Sequence, residues 1–123
     1  MTSPQTVLTI AGSDSSCGAG IQADLKAISA LHGYALTALT SVVSESPGKV
    51  SLIHLLDPEM IADQIRVLFA AFPIRAAKTG MLGGSAQVQA VVQAWRTHAR
   101  DIPLVVDPVM VATGGGKLMQ DDA

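Results

Sequence analysis

The chain alternates between two hydrophobic periods. Short runs rich in β-branched residues are followed by stretches in which apolar residues recur every three or four positions, the pattern of βαβ units around a parallel sheet. Val7–Ala11 predicts a first strand. After a glycine-rich loop, Ile21, Leu25, Ile28 and Leu31 fall on one helical face expected to point inward, and Gly33 is the stop. Leu36–Val43 predicts a second strand, SESPGK is a turn cluster, and VSLIHLL reads as a further extended segment or edge strand. Asp57 before Pro58 predicts a helix start in which the Asp side chain accepts from free amides and Pro loses no needed donor. Ile61, Ile65, Leu68, Phe69 and Phe72 then line one face, and Pro73 ends the helix. Ile74–Thr79 predicts a strand, Ser85 caps a last helix with Val88, Val91, Val92 and Trp95 inward, and Leu104–Val106 is the final strand. LVVDPVMVA is apolar on both faces, as strands inside a parallel sheet are, so a further strand neighbour is expected outside this sequence.

With 123 residues, 49% of them hydrophobic and 15% charged, the chain holds enough apolar mass for one core. No repeat, low-complexity tract or linker divides it, so residues 1–123 read as a single domain or part of one. A net charge of −2 with scattered basic residues gives no footprint for nucleic acid or an anionic membrane surface, and no partner of either kind is expected. No apolar run approaches the roughly 18 residues of a membrane span. The single Cys17 rules out an internal disulfide framework, and MTSPQT lacks the basic flank and apolar core of a secretory signal. A cytoplasmic location is the expectation.

In open α/β sheets ligands bind beyond the carboxyl ends of the strands, and the unusual residues of this chain cluster there. The first strand runs into Gly12, the second into Glu45, the third regular strand into Gly80 and Met81, and the last into Asp107. The loop GSDSSCGAG combines glycines and hydroxyls before a helix N-terminus, so its amides can approach an anionic or acceptor group; a plain connecting turn is the structural alternative. Asp24 either accepts from a ligand hydroxyl or amine or simply complements the positive helix end. Glu45 either binds an amine or ring N–H or is a solvated turn residue. Met81 either walls a flat ring or fills the core. Asp107, at the end of an apolar strand, needs a partner such as Mg²⁺, a phosphate-bound water or a lysine unless it only shapes an Asp-Pro turn.

Weaker signals come to less. ATGGGKL is not a Walker loop, because Val111 stands at the first required glycine and Leu118 at the Ser or Thr. His32, His54 and His98 lack metal-ligand spacing, and Cys17 has no histidine or second cysteine beside it. Gly18, Gly20 and Ala23 satisfy G-x-G-x-x-A, but Ser13 to Cys17 separate them from the strand and Asp14 would repel a pyrophosphate.

Taken together, TIAGSDSSCGAGIQADLKAISALHGY, KTGML and VVDPVMVATGGGKL resemble the hydroxymethylpyrimidine and hydroxymethylpyrimidine-phosphate kinases of thiamine biosynthesis, members of the ribokinase-like superfamily that includes pyridoxal kinases. The resemblance implies a three-layer α/β fold with a parallel sheet and Mg²⁺-assisted transfer of the ATP γ-phosphoryl group to 4-amino-5-hydroxymethyl-2-methylpyrimidine and its monophosphate. By matching position it implies that Gly12, Asp24, Glu45, Met81 and Val109 line the pyrimidine pocket and that Asp107 lies near phosphates and metal. The family commonly has Gln at the position of Glu45 and Gly at that of Cys17. An ionised carboxylate only accepts where an amide also donates, so a related aminopyrimidine or a pyridoxal-like alcohol stays open as the substrate. The family's ATP site, anion hole and catalytic base lie beyond this sequence. The expectation is therefore the N-terminal, substrate-binding part of a kinase, with no catalytic residue in this chain and little turnover alone. The missing C-terminal half, another polypeptide or a homo-oligomer would complete it. A non-catalytic ligand-binding module is the alternative.

Overall fold

The computed structural model describes residues 3–99, 101–110 and 117–123. The chain runs β1 (Thr6–Asp14), α1 (Gly20–Ala30), β2 (Tyr34–Ser46), β3 (Lys49–Leu55), α2 (Pro58–Ala71), β4 (Ile74–Thr79), α3 (Ser85–His98) and β5 (Leu104–Val106). The strands form one sheet in the order β3-β2-β1-β4-β5. All neighbours are parallel except β2 and β3, which makes VSLIHLL an antiparallel edge strand. Leu8, Ile10, Leu36, Ala38 and Ala77 pack from the sheet against Ile61 and Ile65 of α2 and Val91 and Ala94 of α3. Thr9 and Lys78, side by side on the opposite face, meet Asp24 of α1. The result is the expected three-layer α/β architecture, with a sheet between α1 and the α2–α3 pair.

β1 and β2 run several residues past their apolar cores because pairing carries them through polar positions. Ser13 and Asp14 pair with Val42 and Val43 after a register shift, and Ser41 to Ser46 pair with β3. Gln64 of α2 completes the β2 backbone where β3 stops, accepting from Leu39 N–H at 2.8 Å and donating to its carbonyl at 2.9 Å.

Five details of the helices differ from the expected pattern. No residue of α1 is buried; Leu25 is 44% exposed and Leu31, at the C-cap, 82%. The cause is Asp24, which Thr9 and Lys78 draw onto the sheet. That turns Ile21, Asp24 and Ile28 inward and puts Leu25, about 100° further round, towards solvent. Asp57 occupies the N-cap of α2 and Pro58 its first turn, but the Asp side chain makes no capping bond. Phe72 lies beyond α2 and stacks on Tyr34 at 6.2 Å. The N-cap of α3 is Gly84, with Ser85 already helical, and Val92 is exposed because the small residues Ala90 and Ala94 bracket Val91 on the buried face.

β5 is the other edge of the sheet, and Val105 and Val106 are largely exposed along it. No helix among the described residues is long and apolar enough to cross a membrane. Ile65 is fully buried in the main core. Ile65→Ala should therefore lower stability by about 2–5 kcal/mol in urea denaturation, whereas Val92→Ala should change it by no more than about 0.5 kcal/mol.

Candidate functional site

The chain places β2 on one side of β1 and β4 on the other, so a crevice opens beyond the carboxyl ends of these strands. A cavity of about 250 Å³ occupies it. Gly12, Asp24, Glu45, Met81, Asp107 and Val109 all line this one cavity, so residues from four strand ends and a helix meet as expected.

Asp14 organises its rim. One carboxylate oxygen accepts from Ser16 N–H at 2.8 Å and Ser16 Oγ at 2.7 Å, the other from Gly18 N–H at 2.9 Å and Ala19 N–H at 2.8 Å. Burial is the largest single influence on this acid and opposes ionisation. The hydroxyl and three amides together outweigh it and hold the pKa below the usual 3.8. The amides of Ser16, Gly18 and Ala19, just ahead of α1, are thus occupied by a carboxylate of the chain itself. Gln22 adds a brace, accepting from Asp14 N–H and donating to Ser13 Oγ. The loop closes so tightly that a Cβ on Gly20, whose φ is +61°, would stand 2.4 Å from Gly12 O. Only glycine fits there.

Glu45 is fixed through its backbone. Ser15 Oγ donates to Glu45 O at 2.6 Å and accepts from Glu45 N–H at 2.8 Å. Burial, the negative charge of Asp14 and a hydrogen bond between the two acids raise the Glu45 pKa above its usual 4.5. Asp24 receives Thr9 Oγ1 at 2.6 Å and both of its oxygens lie 3.0 Å from Lys78 Nζ. Lys78 lines the cavity too and was not singled out from sequence. The available signal was a lysine towards the end of a strand inside a parallel sheet, which needs an anionic partner.

Met81 forms the apolar wall. Thr40 Oγ1 donates to Met81 O at 2.6 Å, and Ser41 Oγ lies 3.8 Å from its sulfur. A Cβ on Gly12 would come within 2.5 Å of Ser41 Oγ, so glycine keeps the cavity floor low. Asp107 is exposed at the cavity edge. Its backbone turns as an Asp-Pro corner, with Asp107 N–H donating to Thr79 O and Val109 N–H to Asp107 O. Among the described residues no cluster of three or more His, Cys, Asp or Glu forms a metal site, and the three histidines are not gathered. Most of the ATGGGKL segment lies outside the described residues.

Because the folded-state pKa of Asp14 is depressed, its contribution to stability is present above the unfolded value near 3.8 and is lost as pH falls through the folded value. Asp14→Asn should cost about 1–3 kcal/mol at pH 7 by chemical denaturation. The gap to wild type should shrink on acidification below about pH 4. A pH-independent gap would contradict the ionised role.

The phosphomethylpyrimidine kinase family model matches residues 14–123. A hydroxymethylpyrimidine/phosphomethylpyrimidine kinase of Mycobacterium leprae is 41% identical over 122 residues, covering 99% of this chain and 44% of that protein. The crystal structure of a phosphomethylpyrimidine kinase from Clostridium difficile superposes with a TM-score of 0.86 at 38% identity, covering 95% of this chain and 50% of the other. A Staphylococcus aureus pyridoxal kinase in complex with pyridoxal gives a TM-score of 0.77 at 36% identity, covering 89% of this chain and 41% of the other. This chain thus spans half or less of the length of these relatives. The match over all but the first strand, joined to a ribokinase-like sheet whose strand ends close on one pocket, makes the chain a member of the phosphomethylpyrimidine kinase family.

Proposed function

We propose that this chain is the substrate-binding part of a kinase that transfers the ATP γ-phosphoryl group to 4-amino-5-hydroxymethyl-2-methylpyrimidine and its monophosphate in thiamine biosynthesis. The observation that carries the reading is the convergence of Gly12, Asp24, Glu45, Met81 and Val109 on one cavity of a size suited to a single small ring. In this reading Met81 and Val109 sandwich the ring, Gly12 lets it approach the sheet, and Glu45 and Asp24 take its polar groups. Asp24 remains paired with Lys78, so it offers a hydrogen bond more readily than an uncompensated charge.

Asp107 lies at the cavity edge, exposed, where a carboxylate suits a Mg²⁺ that keeps most of its waters. Bound with ATP, that ion would neutralise phosphate charge. Phosphoryl transfer rests on positioning and electrostatic stabilisation by a nucleotide clamp, an anion hole and a base. At 44% of the length of the M. leprae relative, the isolated chain supplies the alcohol site, and the rest of such a kinase supplies those groups.

Calorimetric titration of the 123-residue chain tests this. The pyrimidine alcohol should bind, pyridoxal should bind more weakly, and Mg²⁺-ATP should produce no phosphorylated product. Met81→Ala should weaken pyrimidine binding roughly tenfold by removing apolar contact. A folded chain, checked by circular dichroism, that binds neither alcohol would overturn the assignment, and preference for pyridoxal would move it to a pyridoxal-type kinase.

A further inference from the structure

We propose that Lys78 is a ligand-binding residue of the cavity, its ammonium donating to an acceptor atom of the bound pyrimidine beside the donor that Asp24 receives. The inference rests on the pyrimidine reading above. It adds a donor to a cavity whose other charged side chains, Asp14, Asp24, Glu45 and Asp107, are all acids.

Lys78 and Asp24 satisfy one another only in part. Lys78 Nζ lies 3.0 Å from Asp24 Oδ1 and 3.0 Å from Oδ2, and Thr9 Oγ1 donates to Oδ2 at 2.6 Å. An ammonium carries three N–H donors and each carboxylate oxygen has two acceptor sites. Oδ2 is therefore full and Oδ1 has one site left. Lys78 keeps at least one N–H that no acceptor among the described residues takes. Both side chains are mostly buried, with 28% of Lys78 and 18% of Asp24 exposed, so a spare donor here lacks full hydration and gains from a partner.

The surroundings fix the ammonium and leave it uncovered. Lys78 pairs in register with Thr9 of β1, and its head group is tied to both oxygens of Asp24. A Cβ on Gly80 would stand 3.4 Å from Lys78 Nζ and 2.9 Å from the Cβ of Ala11. Glycine at this position keeps that space open, and Gly80, Ala11, Asp24 and Lys78 all line the cavity. The pair thus offers a donor and an acceptor 3.0 Å apart. A ring nitrogen beside an amine matches that couple, and so does a hydroxyl, which accepts and donates through one oxygen. Both present a lone pair to Lys78. The ionised acids of the cavity cannot serve that lone pair, because a carboxylate only accepts.

The test is calorimetric titration of the full 123-residue chain, as wild type and as Lys78→Met, which keeps side-chain length without a donor. The ligands are 4-amino-5-hydroxymethyl-2-methylpyrimidine and three analogues, one lacking the hydroxyl and two with one ring nitrogen replaced by C–H. For the parent compound Lys78→Met should raise Kd roughly tenfold to a hundredfold, the loss of one charge-assisted hydrogen bond. For the analogue that lacks the accepting atom the ratio of the two Kd values should fall towards one, and which analogue does so tells the hydroxyl from a ring nitrogen. The same ratio for all four ligands, or a ratio near one for the parent, would overturn the inference and leave the pyrimidine site standing. If Lys78→Met fails to fold, nitrogen-15 NMR of the wild-type ammonium decides. Saturating pyrimidine should shift the Lys78 signal, and an unmoved signal would overturn the inference. No binding by the folded wild type would overturn it together with the site assignment.

Discussion

The site depends on a buried negative charge. Asp14 sits at the end of β1, where two glycines and three small polar residues would otherwise make a floppy connection, and its carboxylate gathers four donors from Ser16, Gly18 and Ala19. Without those bonds burial would favour the neutral acid. With them the ion is preferred, and the loop is pinned to the sheet end. The arrangement also uses up the amides of Ser16, Gly18 and Ala19 ahead of α1. This part of the loop is an internally satisfied scaffold.

The other acids follow from that anchor. Burial and the negative charge of Asp14 raise the pKa of Glu45. Asp24 is dealt with differently, by Lys78 from β4 and the Thr9 hydroxyl from β1. The same pair sets the rotation of α1 on the sheet. One polar contact thus decides both which stripe of the helix faces inward and where a hydrogen-bond acceptor enters the cavity. Met81, tethered by Thr40, supplies the apolar wall facing these groups. The pocket combines one apolar wall with one carboxylate held by hydrogen-bond donors and another paired with a lysine.

Much of this was legible in the sequence where apolar periodicity and strand-end placement agree. β4 and β5 have the expected bounds, Ile61 and Ile65 are buried, and Gly12, Glu45, Met81 and Asp107, picked at strand ends, line one cavity with Asp24 of α1. Periodicity failed where a polar contact or a small side chain decides the packing. The inward face of α1 is set by Asp24, which a hydrophobic pattern scores as outward, and α3 buries alanines in preference to Val92. Asp57 and Ser85 show that a capping residue type is no guarantee of a capping bond, because side-chain orientation is a tertiary property. Lys78 went unassigned because its partner is 54 residues away in the chain. The role of Asp14 was hidden for a related reason, since four donors within five residues form a cluster only once the loop has closed.

The claim at the centre of this account is that two neighbouring carboxyl groups are driven apart in acidity by their surroundings. Carbon-13 NMR of the side-chain carboxyls, followed across an acid titration of the ligand-free chain, observes both groups at once. The account predicts that the Asp14 carboxyl titrates below the usual aspartate range and that of Glu45 above the usual glutamate range. Both groups titrating at ordinary values, or Asp14 protonating before Glu45 as pH falls, would contradict it.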